Sequence, residues 1–356
     1  MTTPWDWQPA QASRIEQAVT LLRLEGADTR RFLHGQTSAA IETAPAGAWI
    51  PSCSISPTAR MRALVEVLLD SSEGTPNASS AGSTKPGAWL VIHGILPEAA
   101  AGVRQSLDRV LFPADQVHLG ALETAHLITP VGPGTAQLPA SPKDAWQALE
   151  AGAGWLLGHQ VLLRHGSEAP AWLAGRALLS NADHERWRVQ EAIPAAPGEL
   201  SDDTNPFELG LAERVSLNKG CYVGQETLAK LSTYDGVKQQ LRRWSWTPQA
   251  GDLPGGLPGE PPAALNPGTT LYSADVTGNS TSRAGVISSS LELEDGTWIG
   301  LALVRKQALE QPLLQAGDGP RPATSCCLEA RANGPPSRWP GCRRGCSERS
   351  DPGDSD

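Results

Sequence analysis

Three stretches of this chain are poor in the large apolar side chains that a core needs, and they divide it into the parts that can fold around one. Ser71–Gly87 (SSEGTPNASSAGSTKPG) reads as a flexible loop over 71–87. Ala250–Gly268 (AGDLPGGLPGEPPAALNPG) is rich in proline and glycine and separates what precedes it from a final strand-rich segment. Residues 316–356 contain no Ile, Val, Phe, Tyr or Met. Burial there cannot offset the entropy of ordering the segment, so it is expected to be a disordered tail. Its six arginines cancel its six acidic residues, which leaves the net charge of −9 on the rest of the chain.

Between these breaks strands and helices mix. Val19–Leu24, Ala63–Leu69, Ala88–His93, Gln116–Leu119 and His126–Val131 are apolar or alternating runs of strand length. Asp28–Gly35 predicts a short helix. Pro97–Leu111 predicts a longer one, with Ala100, Val103, Leu107, Val110 and Leu111 along one face. Ser141–Ala151 has a Ser-Pro helix start, Val161–Arg164 and Ala171–Ala174 read as paired strands, and Asp183–Ile193 reads as a helix stopped by Pro194. After Val237 four strand-like runs follow (VKQQLRRWSW, GTTLYS, SRAGVISSS, TWIGLALVR). The absence of a regular βαβ period favours an α+β fold over a doubly wound sheet, and the last four strands suggest a small separate barrel. The expected division is a region over 1–243, a barrel over 244–315 and the tail over 316–356.

Several functions lose their support. An acidic chain with no basic-aromatic patch argues against direct nucleic-acid binding. No window approaches 18 consecutive apolar residues, so no membrane-spanning helix is expected. The first residues, MTTPWDWQPAQASR, have neither a basic nor an apolar leader region, and the expected location is cytoplasmic. There is no GxxxxGK[ST], GxGxxG, HExxH, CxxC or GxSxG pattern, and the seven histidines are scattered. Cys342-x3-Cys346 has metal-ligand spacing but no histidine or strand beside it, so no metal site is expected.

The informative segment is Lys219-Gly220-Cys221-Tyr222-Val223-Gly224-Gln225-Glu226. Two glycines permit a tight turn, and QETLAKL is helix-compatible. Cys221 then stands shortly before a helix N-terminus with Lys219 two residues back. Dipole and cation both favour a thiolate there. A small buried residue in a turn is the other reading, because free cysteine is among the most buried residue types.

KGCYVGQE resembles the signature of the YgfZ family, folate-binding relatives of the glycine-cleavage T-protein aminomethyltransferase. Collinear pieces agree: Leu24–Asp28 with Arg31–Thr37, Arg188–Pro194 with Ala192 in place of the usual glycine, Pro206–Leu211, Val237-Lys238 before Leu241, Pro267–Thr269 and Gly285–Ser289. The resemblance runs from about residue 19 to about residue 310. It implies two α+β lobes plus a small C-terminal β-barrel around a cavity that takes tetrahydrofolate. It makes Glu208 the acceptor for the pterin's amino edge and Arg188 the cation for the folate carboxylates. By the same resemblance Tyr222 lines the cavity, Lys219 offsets anionic charge and Gln225 orients the ligand or the loop. Cys221 is the catalytic candidate. From the residues alone, Glu208 reads as a surface helix-start acid beside Pro206 and Arg188 as an i,i+3 partner of Glu191.

The family's implied role is accessory: assembly or repair of iron–sulfur clusters, in partnership with cluster enzymes or assembly proteins, including enzymes that modify tRNA. Two departures weigh against aminomethyl transfer. The stretch corresponding to the transferases' catalytic aspartate, Ser56–Leu69, has no aspartate, and the alternation of the strand accounts for its Glu66. Thr37-Ser38-Ala39-Ala40 also replaces the relatives' acidic continuation. A folate-dependent transferase and a non-catalytic scaffold are the alternatives.

Overall fold

A computed structural model describes residues 3–71, 86–94, 97–247, 265–274, 280–311, 313–317 and 324–329. Most of the expected loop, most of the proline-rich break and the Cys342–Cys346 pair lie outside the described residues.

The long strand β1 (Ser13–Glu25) is followed by α1 (Thr29–Gln36), β2 (Trp49–Ile55), β3 (Met61–Leu69), β4 (Gly87–His93), α2 (Pro97–Asp108) and β5 (His118–Val131). Next come β6 (Trp146–Ala148), β7 (Gly154–Leu157), β8 (Gln160–Arg164), the single-turn α3 (Ala171–Ala174) and β9 (Ala177–Leu178). The main sheet runs β2-β3-β4-β1-β5-β8-β7-β6, with β9 parallel to β1. One hydrogen-bonded path thus crosses the residues expected to form two lobes. Its two ends meet: Ala48 bridges Ala145, Trp49 N donates to Asp144 O at 3.0 Å and Trp146 N to Gly47 O at 3.1 Å. The sheet therefore curls back on itself.

Strand alternation sorts its side chains. One set, with Leu21, Leu68, Trp89, Val91, Trp155 and Leu162, packs together, and the Trp89 and Trp155 rings meet edge-on at 5.6 Å. The other set includes Leu22, Leu24, Val65, Val67 and Leu90, and buries against Phe32 and Leu33 of α1 and Val103 and Leu107 of α2.

Then follow α4 (Asn181–Gln190), α5 (Gln225–Thr233) and the strands β10 (Gln239–Trp246), β11 (Thr270–Ala274), β12 (Ser280–Glu292), β13 (Trp298–Arg305), β14 (Leu313–Ala316) and β15 (Thr324–Glu329). These six strands close a barrel in the order β10-β13-β12-β11-β14-β15. Gly300 is fitted to it: a Cβ there would stand 2.0 Å from Ser289 O and 2.6 Å from the buried Trp244 ring. Sheet and barrel share a core of Cys53, Met61, Leu64, Phe207, Tyr222, Leu241 and Ile299, among others.

Four sequence expectations are corrected. The boundary at 243/244 falls inside β10, which starts the barrel at Gln239. Thr324–Glu329 belongs to the barrel, where the expectation was disorder from residue 316; it pairs with β14 and β10. Main-chain hydrogen bonds close the barrel, and a segment poor in large apolar side chains still supplies them. Ser141–Ala151 is a turn and a strand, because Ser141 Oγ accepts from Gly158 N and donates to Ala145 O and the Trp146 indole donates to Leu69 O. Ala171–Ala174 is helical, and β8 pairs with β5 and β7 instead.

Candidate functional site

The signature octet forms a turn between α1, the β2–β3 connection and α5. Gly224 has φ 79°, and a Cβ on it would meet Ser56 O at 2.7 Å and Ile55 Cδ1 at 2.8 Å. A glycine is required there. It is the residue before α5, so three residues, Tyr222 to Gly224, separate Cys221 from the helix.

Lys219 turns inward. Its ammonium donates to the carbonyls of His34, Thr37 (2.6 Å) and Ala39 (2.7 Å), which uses all three of its hydrogens. It also sits 4.2 Å from the centre of the Tyr222 ring. Burial pulls its pKa down to about 7. Its role in the structure is to close the C-terminal end of α1 onto the octet, with Gln225 Nε2 bracing the loop through Lys219 O at 3.1 Å. Cys221 is left exposed on this braced loop, whereas Cys53 is fully buried with its thiol pushed up to about 11 by that burial.

Tyr222 packs into the shared core beside Cys53. Its hydroxyl is buried without a partner among the described residues, and burial raises its pKa to about 12. Glu208 is buried in a turn capped by Asn205, whose Oδ1 accepts from the N–H groups of Phe207 and Glu208. The Glu208 carboxylate accepts from Asn205 N at 3.2 Å and from Gln239, and burial raises its pKa despite these bonds and the nearby Arg60 and Lys238.

Arg188 is a hub. Nε and Nη2 hold both Glu185 oxygens at 2.7 Å; Nη1 donates to Ile193 O at 2.6 Å and to Glu199 at 3.3 Å; Nη2 also reaches Ser289 Oγ at 2.7 Å. All five guanidinium donors are engaged. Its acidic helical neighbour is Glu185, one turn before it, in place of the expected Glu191. The octet residues thus gather at one loop. Glu208 and Arg188 stand apart, sharing no hydrogen bond or ion pair among the described residues.

The sequence reading passed over a second cluster. Glu66 on β3 is buried and accepts from Trp49 Nε1 at 2.8 Å. His93 Nε2 and Arg214 Nη2 each stand 3.5 Å from its other oxygen. Burial pushes this carboxyl up, but His93, Arg214 and the Trp49 indole outweigh it and hold it at about 2. Alternation alone explains neither that burial nor three polar partners.

No family model matches the chain. A curated Arabidopsis thaliana protein named "Putative transferase, chloroplastic" is 29% identical over 248 residues, covering 62% of this chain and 52% of that protein. The chain therefore spans about half the length of that relative. The crystal structure of glycine cleavage system aminomethyltransferase T from Bartonella henselae superposes with a TM-score of 0.63 over 90% of this chain and 86% of that one, at 16% identity. At that identity the likeness concerns the fold: the chain has an aminomethyltransferase-T-like fold. None of the described helices is long and apolar enough to cross a membrane.

Proposed function

We propose that the chain is a YgfZ-type tetrahydrofolate-binding accessory protein that supports assembly or repair of iron–sulfur clusters, with cluster enzymes such as tRNA-modifying ones as its protein partners. It acts in a reducing, cytoplasmic setting, without binding nucleic acid or membrane itself. The observation that carries the reading is the braced octet: Lys219 and Gln225 hold the loop so that Cys221 faces solvent while Cys53 is buried. An exposed thiol on a fixed loop suits transient exchange with a partner. The aminomethyltransferase-T-like fold supports the folate half.

The residues fit a folate in part. Glu208 retains lone pairs for an amino-pyrimidine edge. The donors of Arg188 and Lys219 are already taken within the protein. When bound, tetrahydrofolate supplies ring nitrogens that carry one-carbon units. The turn Ser56–Arg60 offers no acid to act on them, so binding is favoured over transfer. The transferase reading is kept because the Arabidopsis relative carries that name; it requires turnover of a methylamine donor to methylene-tetrahydrofolate.

Calorimetric titration of tetrahydrofolate into the full chain tests binding, with Glu208→Ala in parallel. Saturable binding is expected, and its absence overturns the folate half. Restoring a cluster enzyme's activity with Cys221→Ser tests the thiol. Activity equal to wild type rules out a role for it.

A further inference from the structure

The loop that holds Cys221 also walls a hollow at the end of α2. Val223, two residues after Cys221, lines a cavity of about 180 Å³ together with Ile55 and Pro57 at the β2–β3 turn and Leu107 and Val110 near the end of α2. Contacts that brace the octet also fix these walls. Val223 N donates to Gly35 O at 3.1 Å, and Gly224 leaves no room for a Cβ against Ile55. The cavity is smaller than an ordinary small-molecule site and has room for a single side chain. Phe112 stands 72% exposed two residues past Val110. An apolar hollow with exposed apolar residues beside it has the form of an anchor pocket for a partner protein.

Charge says what kind of partner. Arg62 and Arg109 line the same cavity, and none of its lining residues is acidic. Both arginines are exposed, and neither side chain has a hydrogen bond or ion pair among the described residues. Arg31, by contrast, has Asp28 and Asp115 beside it, and Arg14 has Glu16. In a chain with 38 acidic side chains against 29 basic ones, two guanidinium groups without an acid at one hollow leave their donors for carboxylates from outside.

We propose that this hollow docks an extended segment of a partner protein in which an apolar side chain is flanked by acidic residues. The apolar side chain fills the hollow and the carboxylates lie on Arg62 and Arg109. The proposal rests on the reading of Cys221 as an exchanging thiol and names the surface that brings a partner's sulfur to it.

The test uses peptides that carry a cysteine activated as a pyridyl disulfide, a Gly-Ser linker and one of three ends: Leu-Glu-Glu, Gly-Glu-Glu or Leu-Lys-Lys. The Cys221 thiolate attacks the peptide sulfur, a protein–peptide disulfide forms and pyridinethione leaves. Peptide mapping follows modification of Cys221 apart from the chain's other cysteines. At low salt wild type is expected to react about tenfold faster with Leu-Glu-Glu than with Leu-Lys-Lys, although the net charge of −9 favours the basic peptide. The preference shrinks as salt is raised, and Gly-Glu-Glu, which lacks the anchor, reacts more slowly than Leu-Glu-Glu. Arg62→Glu with Arg109→Glu reverses the charge preference, which a misfolded protein does not do. Arg305→Gln on β13, outside the hollow, leaves it in place. If wild type shows no acidic preference, or the double substitution keeps it, the docking site is overturned and the thiol reading stands. If dithiodipyridine itself leaves Cys221 unmodified in the folded chain, both fall. If sedimentation shows wild type to dimerise and the double substitution to abolish the dimer, the hollow takes a second copy and the proposal is overturned.

Discussion

Arg188 on α4 donates to Ser289 Oγ on the barrel strand β12 across 2.7 Å, between residues 101 apart in sequence. Ser289 passes the link on to Glu199 Oε1 at 2.6 Å. The motif expected to hold a ligand's carboxylates thus clamps the barrel to the helix before it.

Substituting Arg188 is expected to act on stability first. Arg188→Gln leaves the Glu199 carboxylate, whose side chain is 1% exposed, without its cation. Breaking one side of a buried pair costs roughly 3–5 kcal/mol. Urea denaturation monitored by tryptophan fluorescence should show the midpoint fall by that equivalent.

Ala192 stands where the family pattern that this sequence resembles has glycine, and its φ is 50°, in the left-handed region. An L side chain is strained there, so Ala192→Gly is expected to stabilise the protein by roughly 0.5–1 kcal/mol even after the unfolded-state entropy of glycine is counted. A rise in Tm of a few degrees checks this.

The Glu66 carboxyl sits at about 2 in the fold against 4.5 unfolded. Its stabilisation is complete above pH 4.5 and is lost as pH falls through about 2, at about 1.4 kcal/mol per pH unit between those values. The stability gap between wild type and Glu66→Gln should therefore narrow by about 2 kcal/mol from pH 6 to pH 3. A constant gap contradicts the network.

Brief alkylation followed by peptide mapping should find Cys221 modified and Cys53 unmodified until denaturant is added. Cys53 is fully buried and its thiol lies at about 11, so both access and thiolate fraction are low.

Local pattern made much of this architecture legible. β3 and β4 lie where apolar runs place them, while α4 starts two residues before and ends three before the expected Asp183–Ile193, with Ser180 Oγ capping its start by accepting from Asp183 N at 3.1 Å. The turn at Gly224 and the start of α5 follow from the octet itself. Where the reading failed, long-range contacts overrode local preference. Ser141–Ala151 has a helix start, but Trp146 is anchored to Leu69 O, 77 residues away. α2 ends at Asp108, short of the expected Leu111, with Val110 at the surface.

The amino-acid sequence by itself determined the alternation of strands, the turn-forming glycines and the octet that links this chain to a family pattern, because each depends on neighbours a few residues apart. Only the tertiary structure decided which charges remain available. Lys219 closes on carbonyls 180 to 185 residues away, Arg188 joins the barrel, and Glu66 gathers Trp49, His93 and Arg214 from three other segments. A side chain's spare donors depend on everything packed around it, and that packing is set by the curled sheet meeting the barrel.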